Sequence, residues 1–372
     1  MRLPAVVPGD VVRYSVAHRR GRRVEGVVEE LLSPSAERIA PSCPWSASCG
    51  GCDLDMINPA ARRAALSEVA RRALRLDEPP TMVAPPRDTD GRARITLHLD
   101  DGKVGYRRRR SHELVPVDDC EIARPEVRGA IAQLRHWLAT APSHGLRQVE
   151  IRSDGSRVVY HFRSDGRPAA EVRRGLATLK HVALDGKRIY GDPTLTLAIA
   201  GHRLRASPSS FYQVHLEQNA ALVAHVVDLF RRAQATRVLD LYAGNGNFSI
   251  PLAAAIGPVI AVEGEGSSIR DLEAMRGELP IVAIRSRVER FDPSTHAFDG
   301  ALLDPPRTGA TGVLKRLANN RPRAIVYVAC NVVTAARDLR EIGDYVIEDV
   351  RCFDLFPKTH HFETVVYARR PG

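Results

Sequence analysis

Cys330 and Glu363 are two residues of this 372-residue chain whose types together suit one demanding reaction. Cys330 follows the apolar run Ala324–Ala329, which places it at the carboxyl end of a strand, with Asn331 next. Glu363 lies in Pro357-Lys358-Thr359-His360-His361-Phe362-Glu363-Thr364-Val365. A thiolate that adds to carbon 6 of a pyrimidine turns carbon 5 into an enolate-like nucleophile able to accept a methyl group. A carboxylate then removes the carbon-5 proton and the thiol leaves. Read singly, a strand-end Cys is equally an inert small hydrophobe and a Glu an exposed strand residue.

A second constellation supplies a methyl donor. Val238-Leu239-Asp240-Leu241-Tyr242-Ala243-Gly244-Asn245-Gly246-Asn247-Phe248 reads as strand, glycine turn and helix start, but Phe248 and Ser249 occupy the region of a third glycine. A cofactor without a pyrophosphate tolerates that loss. Glu263 ends the next strand 19 residues after Gly244, where a carboxylate can accept from both ribose hydroxyls. Together they point to S-adenosylmethionine (SAM); the plainer alternative is a tight turn and a surface Glu. Asp304-Pro305-Pro306-Arg307 follows another strand, and its double proline stiffens a loop that can hold polar groups against a planar base.

Cys43, Cys49 and Cys52 form C-x5-C-x2-C, and Cys120 stands alone downstream. Four thiolates close a tetrahedral zinc site or hold an iron–sulfur cluster. Spacing alone leaves both open, together with unrelated buried thiols. Cysteines in a chain with no charged-then-apolar leader argue for metal binding or catalysis before disulfides, and for a cytoplasmic location.

The elements that must position these groups fall into an α/β pattern. Residues 1–40 alternate polar and apolar, as in a hairpin of a small β-barrel module. Residues 41–205 hold the cysteine loop, a helix from about Ala60 to Leu76, and β-rich sequence. There Arg94–Leu99 and Val104–Arg109 flank Asp101-Gly102, Gln148–Arg152 and Arg157–Phe162 flank Asp154-Gly155, and a helix spans about Pro125 to Thr140. From 206 to 372 strands and helices alternate: a helix from near Glu217, then strands at Arg237–Leu241, Pro258–Val262, Ile281–Ile284, Gly300–Leu303 and Ala324–Val328. That is a doubly wound Rossmann-like domain, which binds ligands at the carboxyl ends of its strands.

Composition sets the partner class. Hydrophobic residues are 44% and charged residues 26%, as in a soluble globular chain. The long uncharged run Leu241–Val262 carries the glycines, asparagines and proline of a turn, not of a lipid-facing helix, so no membrane contact is expected. The net charge is +10. Residues 126–233 carry 16 basic against 9 acidic residues, residues 1–125 carry 21 against 18, and residues 234–372 are balanced at 17 each. Grip on a polyanion and chemistry are thus divided between regions. An Arg-biased genome is the plain alternative.

The ordered motifs resemble those of the SAM-dependent RNA 5-methyluridine (uracil-C5) methyltransferases, in the branch that carries an iron–sulfur cluster. The matching segments are Cys43…Cys49-Gly-Gly-Cys52, Gly105-Tyr-Arg-Arg-Arg-Arg-Ser-His…Asp-Cys120, Ser210-Phe-Tyr-Gln213-Val, Asp240–Phe248, Asp304-Pro-Pro-Arg, Tyr327-Val-Ala-Cys330-Asn and His361-Phe-Glu363-Thr-Val. The resemblance implies a class I methyltransferase domain, a [4Fe–4S] cluster on Cys43, Cys49, Cys52 and Cys120, and a SAM pocket lined by Gln213, Tyr242, Asn247, Glu263 and Asp304 beside the Gly244 turn. It also makes Cys330 the nucleophile and Glu363 the general base. Against the family pattern the N-terminal RNA-binding barrel (TRAM/OB-like) is truncated, Ala329 replaces a usual Ser, Val332-Val333 a Pro-Ala, and His215 an Asn. The expected partner is RNA, ribosomal before transfer RNA, with no obligate protein partner; a non-RNA acceptor and a non-catalytic RNA-binding protein are the other readings. A target uracil must flip out of its stack. Phe211, Tyr212 or Phe362 would stack on it or fill its place, and Arg107–Arg110 and Arg19–Arg23 are candidates to touch phosphates, each equally readable as a solvated charge run.

Overall fold

The computed structural model describes residues 3, 5–21 and 23–371. The N-terminal alternation forms strands β1 (Val11–Arg20) and β2 (Arg23–Ser33), paired antiparallel. Among the described residues no further strand joins them, so this segment is a two-stranded hairpin. Arg22 lies outside the described residues, as do the side chains of Arg20 and Arg23.

After the cysteine loop, helix α1 (Pro59–Leu74) starts at Asn58, whose side chain accepts from the Ala60 N–H, an N-cap that satisfies an otherwise orphaned donor. The chain then forms β3 (Thr81–Val83). The central β-rich part is a seven-stranded sheet in the order β10-β9-β8-β7-β4-β5-β6. Its elements are β4 (Arg94–Asp100), β5 (Lys103–Arg107), β6 (Leu114–Pro116), α2 (Pro125–Thr140), β7 (Leu146–Ser153), β8 (Val158–Ser164), α3 (Ala170–Leu176), β9 (Val182–Leu184) and β10 (Lys187–Tyr190). Asp101 and Gly102 have φ of 46° and 69°, the paired positive values that a two-residue hairpin of right-handed twist requires. Val127, Ile131 and Leu134 of α2 share a core with Leu97, Val149 and Ile151.

The remaining chain builds the sheet that matters for chemistry. Its elements are β11 (Leu195–Ile199), β12 (His202–Ala206), α4 (Leu216–Arg232), β13 (Val238–Leu241), α5 (Ser249–Ala255), β14 (Val259–Glu263), α6 (Gly266–Met275), β15 (Ile281–Arg285), β16 (Gly300–Leu303), α7 (Val313–Asn319), β17 (Ala324–Ala329), α8 (Val332–Asp338), β18 (Val346–Phe353) and β19 (Glu363–Arg369). The order is β15-β14-β13-β16-β17-β19-β18-β3. Strands β13 to β17 run parallel, and β19 is inserted antiparallel between β17 and β18. β13, β16 and β17 are buried throughout, which is why they read as continuous apolar runs. Two features cross the expected segment boundaries. Leu195, Leu197 and Leu204 of the β11–β12 hairpin pack with Leu222 and Phe230 of α4, and β3 from near the N-terminus pairs with β18 at the sheet's edge.

Candidate active site

The carboxyl edge of this sheet collects the residues singled out by type. In the antiparallel ladder Ala329 faces Thr364. The next residue on one strand, Cys330, therefore stands beside the preceding one on the other, Glu363. Leu303 is level with Tyr327, so Asp304 leaves β16 on the same edge. Glu363 is 3% exposed, and its Oε2 has no hydrogen-bond partner. Burial, and then the neighbouring Asp304, push its carboxyl well above the usual range, against the pull of Arg307. Burial likewise raises Asp304. The half-buried Cys330 thiol is pushed up to about 11, first by burial, then by Glu363 and Asp304, with Arg307 opposing. A low-dielectric corner with two carboxyls, one thiol and one guanidinium is where a proton can be held and moved.

Each strand-end loop is fixed by its own contacts. Asn331 caps α8 by accepting from the Val333 and Thr334 N–H groups. The fully buried Asp338 accepts from the Tyr327 hydroxyl at 2.8 Å and the Ala310 N–H at 2.6 Å, tying the loop after Asp304 to α8.

The glycine turn after β13 has the geometry of a cradle. Tyr242, Gly244 and Gly246 all have positive φ (62°, 56° and 92°). A Cβ at Gly244 would meet nothing within 4 Å, whereas one at Gly246 would come within 2.5 Å of Leu272. Gly244 thus leaves an open face for a ligand, and Gly246 lets α6 approach. Glu263 binds this turn: its Oε2 accepts from the Gly244 N–H at 2.9 Å and its Oε1 from the Glu265 N–H at 2.6 Å. Each oxygen keeps a second lone pair. The Tyr242 hydroxyl donates to Glu289 at 2.9 Å. Asn247 and Asn219 exchange amide hydrogen bonds at 2.7 and 3.1 Å, and Gln213 is buried. His215 caps α4, its Nδ1 accepting from the Gln218 N–H at 3.3 Å.

Cys43, Cys49, Cys52 and Cys120 line one small cavity with Tyr106, Arg92 and Asp55. The Gly51 N–H donates to the Cys49 sulfur and the Tyr106 hydroxyl to the Cys120 sulfur, both at 3.3 Å. Burial raises all four thiols. Among the described residues no three His, Cys, Asp or Glu side chains converge as they would on one metal ion.

Comparison with known proteins decides the family. A family model described as tRNA (Uracil-5-)-methyltransferase matches residues 175–276 and 272–371, more than half of the chain. The chain belongs to this family. Its relatives include the 23S rRNA (uracil(1939)-C(5))-methyltransferase RlmD of Halomonas elongata, 31% identical over 98% of this chain and 84% of the relative. The Salmonella choleraesuis protein of the same name is 28% identical over 99% and 90%. The Pyrococcus abyssi tRNA (uracil-54, C5)-methyltransferase structure superposes with a TM-score of 0.80 at 23% identity, covering 98% of this chain and 95% of that one, which establishes the fold. As a member of this family, the chain is a SAM-dependent RNA uracil-C5 methyltransferase.

In this uracil-C5 methyltransferase the candidate RNA contacts differ in exposure and in their present partners. Of the three aromatic candidates only Phe211 is exposed (55%), with the Arg94 guanidinium 4.5 Å from its ring centre; Tyr212 and Phe362 are buried. The run Arg107–Arg110 is engaged internally: Arg108 grips Glu113, Arg110 pairs with Glu25, Arg109 donates to the Cys52 carbonyl and Arg107 to that of His112. Sequence reading missed Arg152, which is fully buried and donates to the carbonyls of Ser207, Pro208 and Ser210, shaping the loop that presents Phe211 and Gln213. It also missed a groove of about 570 Å3 lined by Arg167, Arg173, Arg174 and Arg188. The nearby acids face elsewhere: Glu171 to His144, Asp165 to Arg147 and Asp185 to Ser164. Only the local excess of basic residues in 126–233 signalled it.

Proposed function

We propose that this enzyme methylates carbon 5 of a specific uridine in 23S ribosomal RNA, with Cys330 as nucleophile and Glu363 as general base. The carrying observation is the ladder register that sets Cys330 beside Glu363 on the strand edge shared with Asp304. The 23S rRNA enzymes among the relatives, aligned over nearly the whole chain, favour ribosomal RNA. The Cys330 thiol gives up its proton to water, its sulfur bonds to carbon 6 of the flipped uracil, and the electron pair pushed from the C5–C6 double bond makes carbon 5 nucleophilic. Once carbon 5 carries the methyl group, Glu363 takes the carbon-5 proton, the C6–S bond breaks and the thiolate returns. The high proton affinity of the buried Glu363 suits it to receive that proton.

Bound SAM supplies a methyl group made electrophilic by its sulfonium. Gln213, Tyr242, Gly244, Asn247, Glu263 and Asp304 would hold it: the open face at Gly244 and the spare lone pairs of Glu263 fit its ribose and methionine portions. Cys43, Cys49, Cys52 and Cys120 would ligate a [4Fe–4S] cluster. Four thiols around one cavity, served by N–H and O–H donors to sulfur, fit that group. The cytoplasm, where such RNA is made, is the fitting compartment. No helix is long and apolar enough to cross a membrane among the described residues.

The test is to incubate anaerobically purified enzyme with SAM and unmodified 23S or transfer RNA transcripts, and to read the digested nucleosides by mass spectrometry. We expect 5-methyluridine in 23S RNA alone, and none with Cys330→Ala although SAM still binds. 5-Methyluridine in transfer RNA alone would reassign the substrate, and turnover by Cys330→Ala would overturn the mechanism.

A further inference from the structure

The segment from Asp354 to Phe362, which delivers Glu363 to the site, is held by residues that flank three of the four cavity cysteines. Ser42 precedes Cys43, and its hydroxyl accepts from Lys358 Nζ at 3.0 Å. Glu121 follows Cys120, and its carboxylate pairs with the same Nζ. Asp53 follows Cys52; it accepts from the His360 N–H at 3.0 Å and hydrogen-bonds His360 Nδ1. The Leu54 N–H donates to the Lys358 carbonyl at 2.9 Å. Lys358 has φ of 63°, a left-handed conformation that a non-glycine residue holds only when its surroundings impose it. Every one of these contacts falls within the five residues that precede Glu363.

We infer that the cysteine-bearing loops set the position of the general base, with Asp53, Lys358 and His360 as positioning residues for Glu363. This rests on the reading of Glu363 as base. The glycine turn hangs on β13, between parallel β14 and β16, and Cys330 hangs on β17, which is held by parallel β16 on one side and along its length by β19 on the other, so loosening the 354–362 segment alone leaves SAM binding and sulfur addition in place. What fails is removal of the carbon-5 proton. The enzyme then stalls with the C6–S bond formed and carbon 5 already methylated. A displacement of about 1 Å at a reacting group costs on the order of a hundredfold, so kcat should fall about ten- to a hundredfold.

The experiment compares the full-length holoenzyme with Asp53→Ala, His360→Ala and the double variant, using RNA substrate and methyl-labelled SAM. Denaturing gels read covalent protein–RNA species that carry label, and hydrogen exchange reads the peptide spanning 354–362. Asp53→Ala changes the cysteine loop and removes both hydrogen bonds to His360, whereas His360→Ala removes the ring Nδ1 contact from the other side and keeps the backbone N–H, so a folding defect of one does not silence the test. We expect both to lower kcat, leave SAM affinity unchanged, accumulate labelled adduct and speed exchange in 354–362. The double variant should be no worse than Asp53→Ala alone. Asp53→Asn, which keeps an acceptor for the His360 N–H, should recover part of kcat. Loss of kcat without labelled adduct, or unchanged exchange in 354–362, overturns the inference. Absence of adduct in Glu363→Gln would instead remove the reading of Glu363 as base.

Discussion

At the residue scale the site trades reactivity for control. With its pKa pushed up to about 11 by burial and by Glu363 and Asp304, the Cys330 thiol holds its proton at neutral pH. The sign of the pH dependence follows. The thiolate is the reactive form, and the fraction of Cys330 present as thiolate rises tenfold per pH unit below about 11. Peptide-resolved alkylation of Cys330 should accelerate accordingly from about pH 7 to about pH 10. Arg307→Ala removes the cation that opposes the rise and should slow alkylation at a given pH. Glu363→Gln removes a neighbouring negative charge and should speed it. Identical pH profiles for all three proteins would show that these groups do not govern the thiol. Glu363→Gln should also accumulate a denaturation-resistant protein–RNA adduct, because the step after methylation lacks its proton acceptor. Residue type with strand-end position nominated Cys330 and Glu363 as a pair, and the ordered family motifs assigned their roles. Their adjacency was not legible, since 32 intervening residues separate them in the sequence and only the β17–β19 register joins them.

At the scale of elements, buried polar contacts fasten loops that apolar packing cannot shape. Arg62 of α1, 1% exposed, pairs with the fully buried Asp354 and donates to the Thr359 carbonyl at 3.1 Å. Removing one partner of a buried pair strands the other charge. Arg63 Nη1, 3.5 Å from Asp354, remains as a weaker partner, so Arg62→Ala should lower unfolding stability by about 3 kcal/mol, the low end for a broken buried pair, in urea titrations. Arg62→Met with Asp354→Asn should recover part of that loss. A change below about 1 kcal/mol for Arg62→Ala would mean that water satisfies Asp354. Sequence periodicity located α2 at its observed bounds and the parallel strands within a residue or two, because a helix face and a doubly buried strand leave direct hydrophobic patterns. Arg62 and Arg152 escaped notice for the opposite reason. An Arg in an Arg-rich chain carries no pattern that distinguishes a buried anchor from a solvated charge.

At the scale of the whole molecule, the basic groove is lined by residues of and beside α3 and β10, whereas Cys330, Glu363 and Asp304 stand at strand ends of the eight-stranded sheet. If the Arg167–Arg188 groove carries RNA backbone, Arg173→Ala with Arg174→Ala should weaken binding of all RNA sequences alike. It should also flatten the slope of log affinity against log salt by roughly 0.7–0.9 for each phosphate no longer neutralised. An unchanged slope would exclude the groove. Loading the cysteine cavity should give about four iron and four sulfide per chain, and Cys120→Ser should lower both. The sequence by itself determined which chemistries were available. A thiol, a carboxylate, a glycine turn with an acidic strand end and four spaced cysteines are local facts, and local facts survive in the order of residues. Only the tertiary structure decided which of them meet: Cys330 with Glu363 and Asp304, the flanks of the cysteines with the segment before the base, and Arg152 with the Phe211 loop. Such meetings depend on strand register and on pairings between residues tens to hundreds of positions apart, where one slipped residue would turn every side chain to the other face.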